Sequence, residues 1–294
     1  MKREVKPGGS YGQFYDRFDS IEDVLNHIQN APHVTSRRAS QKTSMHYGDG
    51  GESWDLNAGF EGTLKLARDG WKDGRDKANV LANALYDQIA QQMFRPEVVF
   101  DVYGDGGFDM GRVMVGEPEA FFREEENESQ LVAGPSSRVV TIYVNVCASA
   151  AVNAKVMWKR GAVVAALVDL LEQGGKRVEV FVGSCQSSGD SRHEWLVKVK
   201  EAGRPLNLDS VAFWVAHPGV LRRIGFAVNE TLPQAAFDGI MGFGYGMPDS
   251  FRSPREENSL YIDKMLLGAG PWDTPEGAIR WLKEELKKQG LLTE

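Results

Sequence analysis

The second half of this 294-residue chain predicts a three-layer α/β fold, and the first half a mainly helical region containing a β-hairpin. Three observations predict it. Val139-Val140-Thr141-Ile142-Tyr143-Val144-Asn145-Val146 is a nearly unbroken β-branched run, as expected of a strand buried on both faces. The helix expected next, from about Lys155 to Gln173, is apolar around most of its circumference and must be covered on several sides. A further strand at Val178–Val182 then completes a strand–helix–strand unit with a right-handed crossover.

Composition sets the bounds. Hydrophobic residues make up 42% and charged residues 26%, a mixture that excludes wholesale disorder. The formal net charge of −7 argues against a globally basic nucleic-acid coat. Two cysteines, Cys147 and Cys185, cannot build a disulfide framework. No window approaches the roughly 18 apolar residues of a membrane span, and Met1-Lys2-Arg3-Glu4 opens no signal core. The expectation is an intracellular protein with no membrane partner.

In the first half, Ser20 caps a helix whose Ile21, Val24, Leu25 and Ile28 share one face, and Pro32 stops it. Residues 35–55 read as a polar loop in which Arg37, Arg38 and Lys42 form the best local anion-binding candidate, set against the plainer reading of a solvated loop. Thr63 is expected to cap a short helix ending at Asp69-Gly70, and a longer one carries Val80, Leu81, Ala84, Leu85, Ile89 and Met93. Val98–Tyr103 and Phe108–Val115, separated by Gly104-Asp105-Gly106-Gly107, predict a hairpin. Its Tyr-Gly-Asp-Gly-Gly turn repeats residues 47–51, but neither copy has the regular oxygen ligands of a calcium loop. After an acidic run, the boundary between regions 1–134 and 135–294 is placed near Gly134-Pro135.

In the second half, Ser184–Arg192 reads as a polar loop. Trp195–Lys200 then reads as an edge strand with lysines on one face, hairpinned onto its neighbour. A helix at Ser210–Ala216 gives way at His217-Pro218 to another running through Asn229. Leu260–Leu267 is a strand candidate. The last helix is capped by Thr274, begins at Pro275 and turns Ile279, Leu282 and Leu286 inward.

Catalytic patterns fail on context. Gly8-Gly9-Ser10-Tyr11-Gly12 matches a nucleophile elbow literally, but only seven polar-leaning residues precede it where a strand is needed, and no phosphate loop or H-E-x-x-H motif is present. Cys147 and Cys185 follow neighbouring parallel strands. They are either two small buried side chains or, if Arg192 and His193 supply an electropositive setting, reactive thiols. Arg222 and Arg223 are candidate anion contacts, and Phe243 and Tyr245 in a glycine-rich loop are candidate base-stacking rings, with a salt bridge and a chain turn as the plainer alternatives.

Several blocks carry a resemblance. Arg160–Leu167, with Leu171-Glu172 and Gly175–Glu179, resembles a recurrent block of an uncharacterised family of tailed-bacteriophage and prophage proteins. His217–Ala227, Gly70-Trp71-Lys72-Asp73-Gly74 and Gly116-Glu117-Pro118-Glu119 resemble further elements of that family. At the level of topology the second half also resembles a von Willebrand factor A (vWA) domain, a Rossmann-like fold. There the resemblance implies a metal site of Asp-x-Ser-x-Ser form after the first strand. The matching positions here are Asn145, Cys147 and Ser149, so the carboxylate is missing and no metal is expected.

The function expected is a non-enzymatic, phage-encoded interaction protein, without cofactor, acting in the host cytoplasm with virion association left open. A phage or host protein would bind at the strand-end crevice near Asn145, Cys147, Ser149 and Cys185. The alternative is an accessory factor in phage DNA replication or transcription that holds single-stranded nucleic acid through Arg37, Arg38, Lys42, Arg222, Arg223, Phe243 and Tyr245.

Overall fold

A computed structural model describes residues 1–35, 52–80, 83, 97–103, 107–125, 139–173, 176–242, 245–252, 259–266 and 275–288. The first half holds β1 (Lys2–Lys6), β2 (Gln13–Phe18), α1 (Ile21–Asn30), α2 (Glu52–Asp55), α3 (Gly59–Asp69) and helical residues 72–80 (α4). It continues with β3 (Glu97–Asp101), β4 (Gly107–Phe108), α5 (Met110–Met114) and β5 (Phe121–Glu125). The second half holds β6 (Val139–Asn145), α6 (Ala154–Gln173), β7 (Arg177–Ser188), β8 (Ser191–Lys200) and α7 (Leu208–Ala216). A π-type segment (Val220–Gly225) runs directly into α8 (Phe226–Asn229), followed by α9 (Gln234–Met241), β9 (Met247–Pro248), β10 (Ser259–Ile262) and α10 (Pro275–Lys288).

The chain is a mixed α/β protein. Its main sheet has the order β1-β2-β8-β7-β6-β10, with β9 added beside the far end of β7. β10, β6 and β7 are parallel, β8 runs against β7, and β2 runs parallel to β8. One face of this sheet carries Val140, Ile142, Val144, Val178, Val180, Val182, Trp195, Val197, Leu260 and Ile262. These join residues of α1, α3, α6 and α7 in one apolar core. The nearly all-round burial of α6, from Ala162 to Val168 without a break, matches the apolar circumference seen in its sequence. On the opposite face Lys198, Phe181, Tyr143 and Tyr261 fall in register across four strands. Tyr143 stacks between the other two rings at centroid distances of 5.1 and 4.7 Å.

Several expectations are corrected. The first 18 residues contain two strands of the main sheet, and α1 and α3 share the core of the second half. The regions expected on either side of Gly134-Pro135, itself outside the described residues, therefore have one sheet and one core in common. Of the strand expected at Phe108–Val115 only Phe108 is in one, the end of β4, because the Asp109 carboxylate accepts from the Gly111 and Arg112 amides and starts α5. β3 pairs instead with β5. Thr63 is not a cap but lies inside α3, donating its hydroxyl to the Gly59 carbonyl at 2.6 Å.

The stretch expected as a loop at Ser184–Arg192 is mostly strand, turning only at Gly189-Asp190, where Gly189 has φ +59°. β8 is an interior strand, since its other neighbour, β2, comes from about 180 residues earlier. Its lysines are neutralised: Lys198 pairs with Glu179 at 2.9 Å and Lys200 with Glu172 at 2.7 Å. By contrast, Ser20 caps α1 through the Asp23 amide as expected. Gly70 ends α3 at φ +86°, where a Cβ would fall 2.5 Å from that of Asp209.

Candidate functional site at the strand ends

β6 and β7 stay paired as far as Asn145 and Gly183, then separate. The continuation of β6 bends toward the segment after β10: the Met265 amide donates to the Cys147 carbonyl and the Ser149 amide to the Met265 carbonyl. β7 runs on, still paired with β8, and the side that β6 leaves is taken by β9, with Gln186 opposite Pro248 and Ser187 opposite Met247. The Asp249 amide extends that pairing to the Cys185 carbonyl at 2.9 Å. The gap between the diverging strands is thus filled by the chain's own residues 247–252.

Side chains lock this arrangement. Asn145 is fully buried, with Oδ1 accepting from the Cys147 amide at 3.0 Å and Nδ2 donating to the Asp249 carbonyl at 2.8 Å. Arg160, buried on α6, donates to the carbonyls of Asn145 and Asp263 and so ties β6 to the end of β10. Burial lowers its pKa to about 10, against the opposing charge of Asp263. Cys147 sits beneath Gln186, whose Nε2 lies 3.5 Å from Sγ, and burial pushes its thiol up to about 11. Burial pushes the Cys185 thiol up still further, with Glu194 adding to the effect. Both thiols are free and buried, so the reactive-thiol reading is corrected: desolvation disfavours the thiolate that such chemistry needs. Ser149 is half-buried, and the loop it begins leads to a cleft of about 470 Å³ lined by Glu52, Asn153, Ala154 and Lys155.

Charges alternate around Asp249. The wholly buried Arg192 reaches its Oδ2 at 2.6 Å, and the Lys264 ammonium lies 3.6 Å from its Oδ1. Lys264 also donates to the Ser250 hydroxyl, which donates in turn to Asp263 at 2.8 Å. Burial alone would raise the Asp249 pKa, but the Ser250 amide and the Arg192 charge outweigh it and hold it below the usual carboxylate value. Two donors of Arg192, Nε and Nη1, have no partner among the described residues. Farther along, the Arg252 amide donates to Glu194.

The other candidates lie elsewhere. Arg37, Arg38, Lys42 and Phe243 are outside the described residues. The reading of Arg222 and Arg223 as nucleic-acid contacts is corrected by their burial. The π-type segment turns both inward, Arg223 onto Asp55 and Arg222 onto the carbonyls of Trp54 and Val152. Tyr245 is no open stacking platform either. Its ring lies on Phe226 at a centroid distance of 3.7 Å, and its hydroxyl donates to Glu230. Burial and the nearby Lys77 lower the His217 pKa to about 3, and its Nδ1 accepts from the Gly219 amide at a helix junction.

Sequence reasoning missed Asp249, Asp263 and Lys264 as site residues, and named Arg192 only as a charge that could activate the thiols. His193, named with it, turns instead to the other face, where it is buried between Asp16 at 3.0 Å and Asn229 at 2.9 Å. Both Ser184–Ser188 and Ser191–Glu194 are polar with no hydropathy alternation, so the usable signal was only the turn residues Gly189-Asp190 between them. Read as a strand pair about that turn, the flanking residues place Arg192 and Glu194 on one face and His193 on the other.

Fold and site together define an α/β protein whose parallel strands end in a crevice closed by its own charged segment. The chain belongs to the family described as Domain of unknown function (DUF7192), whose model matches residues 5–293. No curated protein and no solved structure matches it. Among the described residues, no helix is long and apolar enough to cross a membrane, and no group of three or more His, Cys, Asp or Glu could hold a metal ion.

Proposed function

We propose that the chain is a non-enzymatic interaction protein with a vWA-like domain, encoded by a phage, that engages a protein partner at the strand-end crevice without a divalent cation. The observation that carries this reading is the state of Asn145. The position that would supply a carboxylate in a metal-binding relative is here an amide, with both of its ends used inside the chain. Two cationic side chains, Lys264 and Arg192, stand beside the carboxylate of Asp249, and their charge disfavours a divalent cation there.

Topology supports the location. β6 has β7 on one side and β10 on the other, so the strand order reverses at β6. In open α/β sheets, ligands bind in the crevice beyond the carboxyl ends of the strands at such a point. The phage origin rests on the sequence blocks at residues 160–179 and 217–227.

The test is affinity capture from phage-infected cells, with the partner identified by mass spectrometry and the complex rebuilt from purified components. The expected result is a complex that survives EDTA and is lost in Ser149→Arg, which blocks the rim of the crevice. A partner retained by that variant removes the site from the reading.

A further inference from the structure

We propose that Arg192 is the receiving group for a carboxylate on an extended acidic peptide segment of the partner, and that the chain's own Asp249 holds its place until that segment arrives. This rests on the interaction reading above and names its chemistry. Arg192 is wholly buried, yet among the described residues its guanidinium makes one hydrogen bond, from Nη2 to Asp249 Oδ2, and leaves Nε and Nη1 without partners. A guanidinium is a planar fork suited to two parallel bonds with one carboxylate, and buried donors left unmade are costly. Asp249 uses half of that fork.

The present occupant also shows what shape fits. Met247-Pro248-Asp249 runs as an extended strand antiparallel to β7, held by the Asp249 amide on the Cys185 carbonyl. A peptide entering there would pair with β7 in the same way, the general mode of strand addition to a sheet edge. It would set a carboxylate against Nε and Nη2 of Arg192, with Lys264 as the second cation. An extended peptide matches this edge better than a nucleic-acid backbone, whose successive phosphates would also meet a chain of net charge −7.

The test measures binding of a fluorescent acetyl-(Glu-Ser)4 peptide to the full chain, with acetyl-(Gln-Ser)4 and inorganic phosphate as comparisons. Asp249→Asn removes the internal competitor and is expected to bind the acidic peptide at least about tenfold more tightly than the unaltered protein, equivalent to about 1.4 kcal/mol. The gain should vanish in Asp249→Asn/Arg192→Gln, and the neutral peptide should bind neither protein. Equal affinity with and without Asp249, a gain that persists without Arg192, or phosphate bound in preference to the peptide would each overturn the proposal.

Hydrogen exchange on the unaltered protein needs no variant to fold. Saturating acidic peptide should speed exchange at the Asp249 and Arg252 amides, and unchanged exchange counts against displacement. The two readings separate cleanly. Capture lost in Ser149→Arg with no gain in Asp249→Asn keeps the site and removes its carboxylate chemistry. A gain in Asp249→Asn with capture retained in Ser149→Arg does the reverse.

Discussion

Arg223 and Asp55 form an ion pair at 2.6 Å in which both side chains are almost wholly sealed from solvent. The π-type segment turns Arg223 inward, and α2, only four residues long, brings Asp55 to meet it. Next to it, Arg222 lies over the Trp54 ring at 4.3 Å and bonds two backbone carbonyls. Two adjacent arginines that look like an anion-binding pair in sequence are thus the rivets joining α2 to the body of the protein.

Removing one partner of such a pair leaves a buried charge uncompensated. Asp55→Ala should lower unfolding stability by about 3–5 kcal/mol, measured by urea titration. The double variant Asp55→Ala/Arg223→Met should recover a large part of the loss, because it removes the stranded charge as well. A double variant no more stable than the single one would contradict this account of the pair.

Packing between α6 and α7 is equally intolerant. A Cβ on Gly161 would lie 2.1 Å from the Ala216 Cα, a distance no backbone shift of a few tenths of an ångström relieves. Gly161→Ala should therefore destabilise by about 1–3 kcal/mol, despite alanine's better helix propensity. Gly203→Ala, where an added Cβ meets nothing within 4 Å, is the matched control and should leave the urea midpoint within about 0.5 kcal/mol of the parent.

How much of this was legible in the sequence depended on where each residue's partner sits along the chain. β6, α6 and β7 were legible because their burial is written in their own composition. β1 was not: Lys2–Lys6 is charged and exposed, and it is a strand only because β2 lies beside it. β8 looked like an edge because its lysines meet glutamates that pattern reading does not bring near, and because β2 joins it from the opposite end of the chain. Asn145, Cys147 and Cys185 were singled out as residues at expected strand ends, although Cys185 lies inside β7 because that strand runs on to Ser188. Asp249 and Lys264 could not be singled out, since they come from separate loops and matter only once β6 and β7 part.

His33 gives the stability a defined pH dependence. Its Nε2 faces the Ile28 carbonyl at 2.6 Å and its Nδ1 the Glu230 carboxylate at 3.2 Å, while Tyr245 donates to the other oxygen of Glu230. Burial opposes the protonated ring, but these two acceptors outweigh it and raise the pKa above the ordinary 6.5. A raised histidine adds stability that is complete below the unfolded value and fades as pH climbs through the folded one. The stability difference between the parent and His33→Gln should therefore be largest below pH 6.5 and shrink above it. A difference that does not change between pH 5.5 and pH 9 would contradict the assignment.

Burial of both thiols has a kinetic consequence. Neither Cys147 nor Cys185 should react with a thiol reagent such as dithionitrobenzoate in the native state, beyond the rate at which the protein opens. Both should react at once in denaturant. One thiol titrating rapidly in the folded protein would show that the crevice beneath residues 247–252 is open to small molecules.

The most direct test of the central claim is calorimetric titration of magnesium and manganese into the purified protein. If Asn145 is held by the Cys147 amide and the Asp249 carbonyl, and the Asp249 carboxylate is already paired with Arg192 and Lys264, neither cation should produce a saturable heat. Saturable uptake that disappears on Asn145→Ala would contradict the account, because it would mean the crevice is organised around an ion rather than around the chain itself.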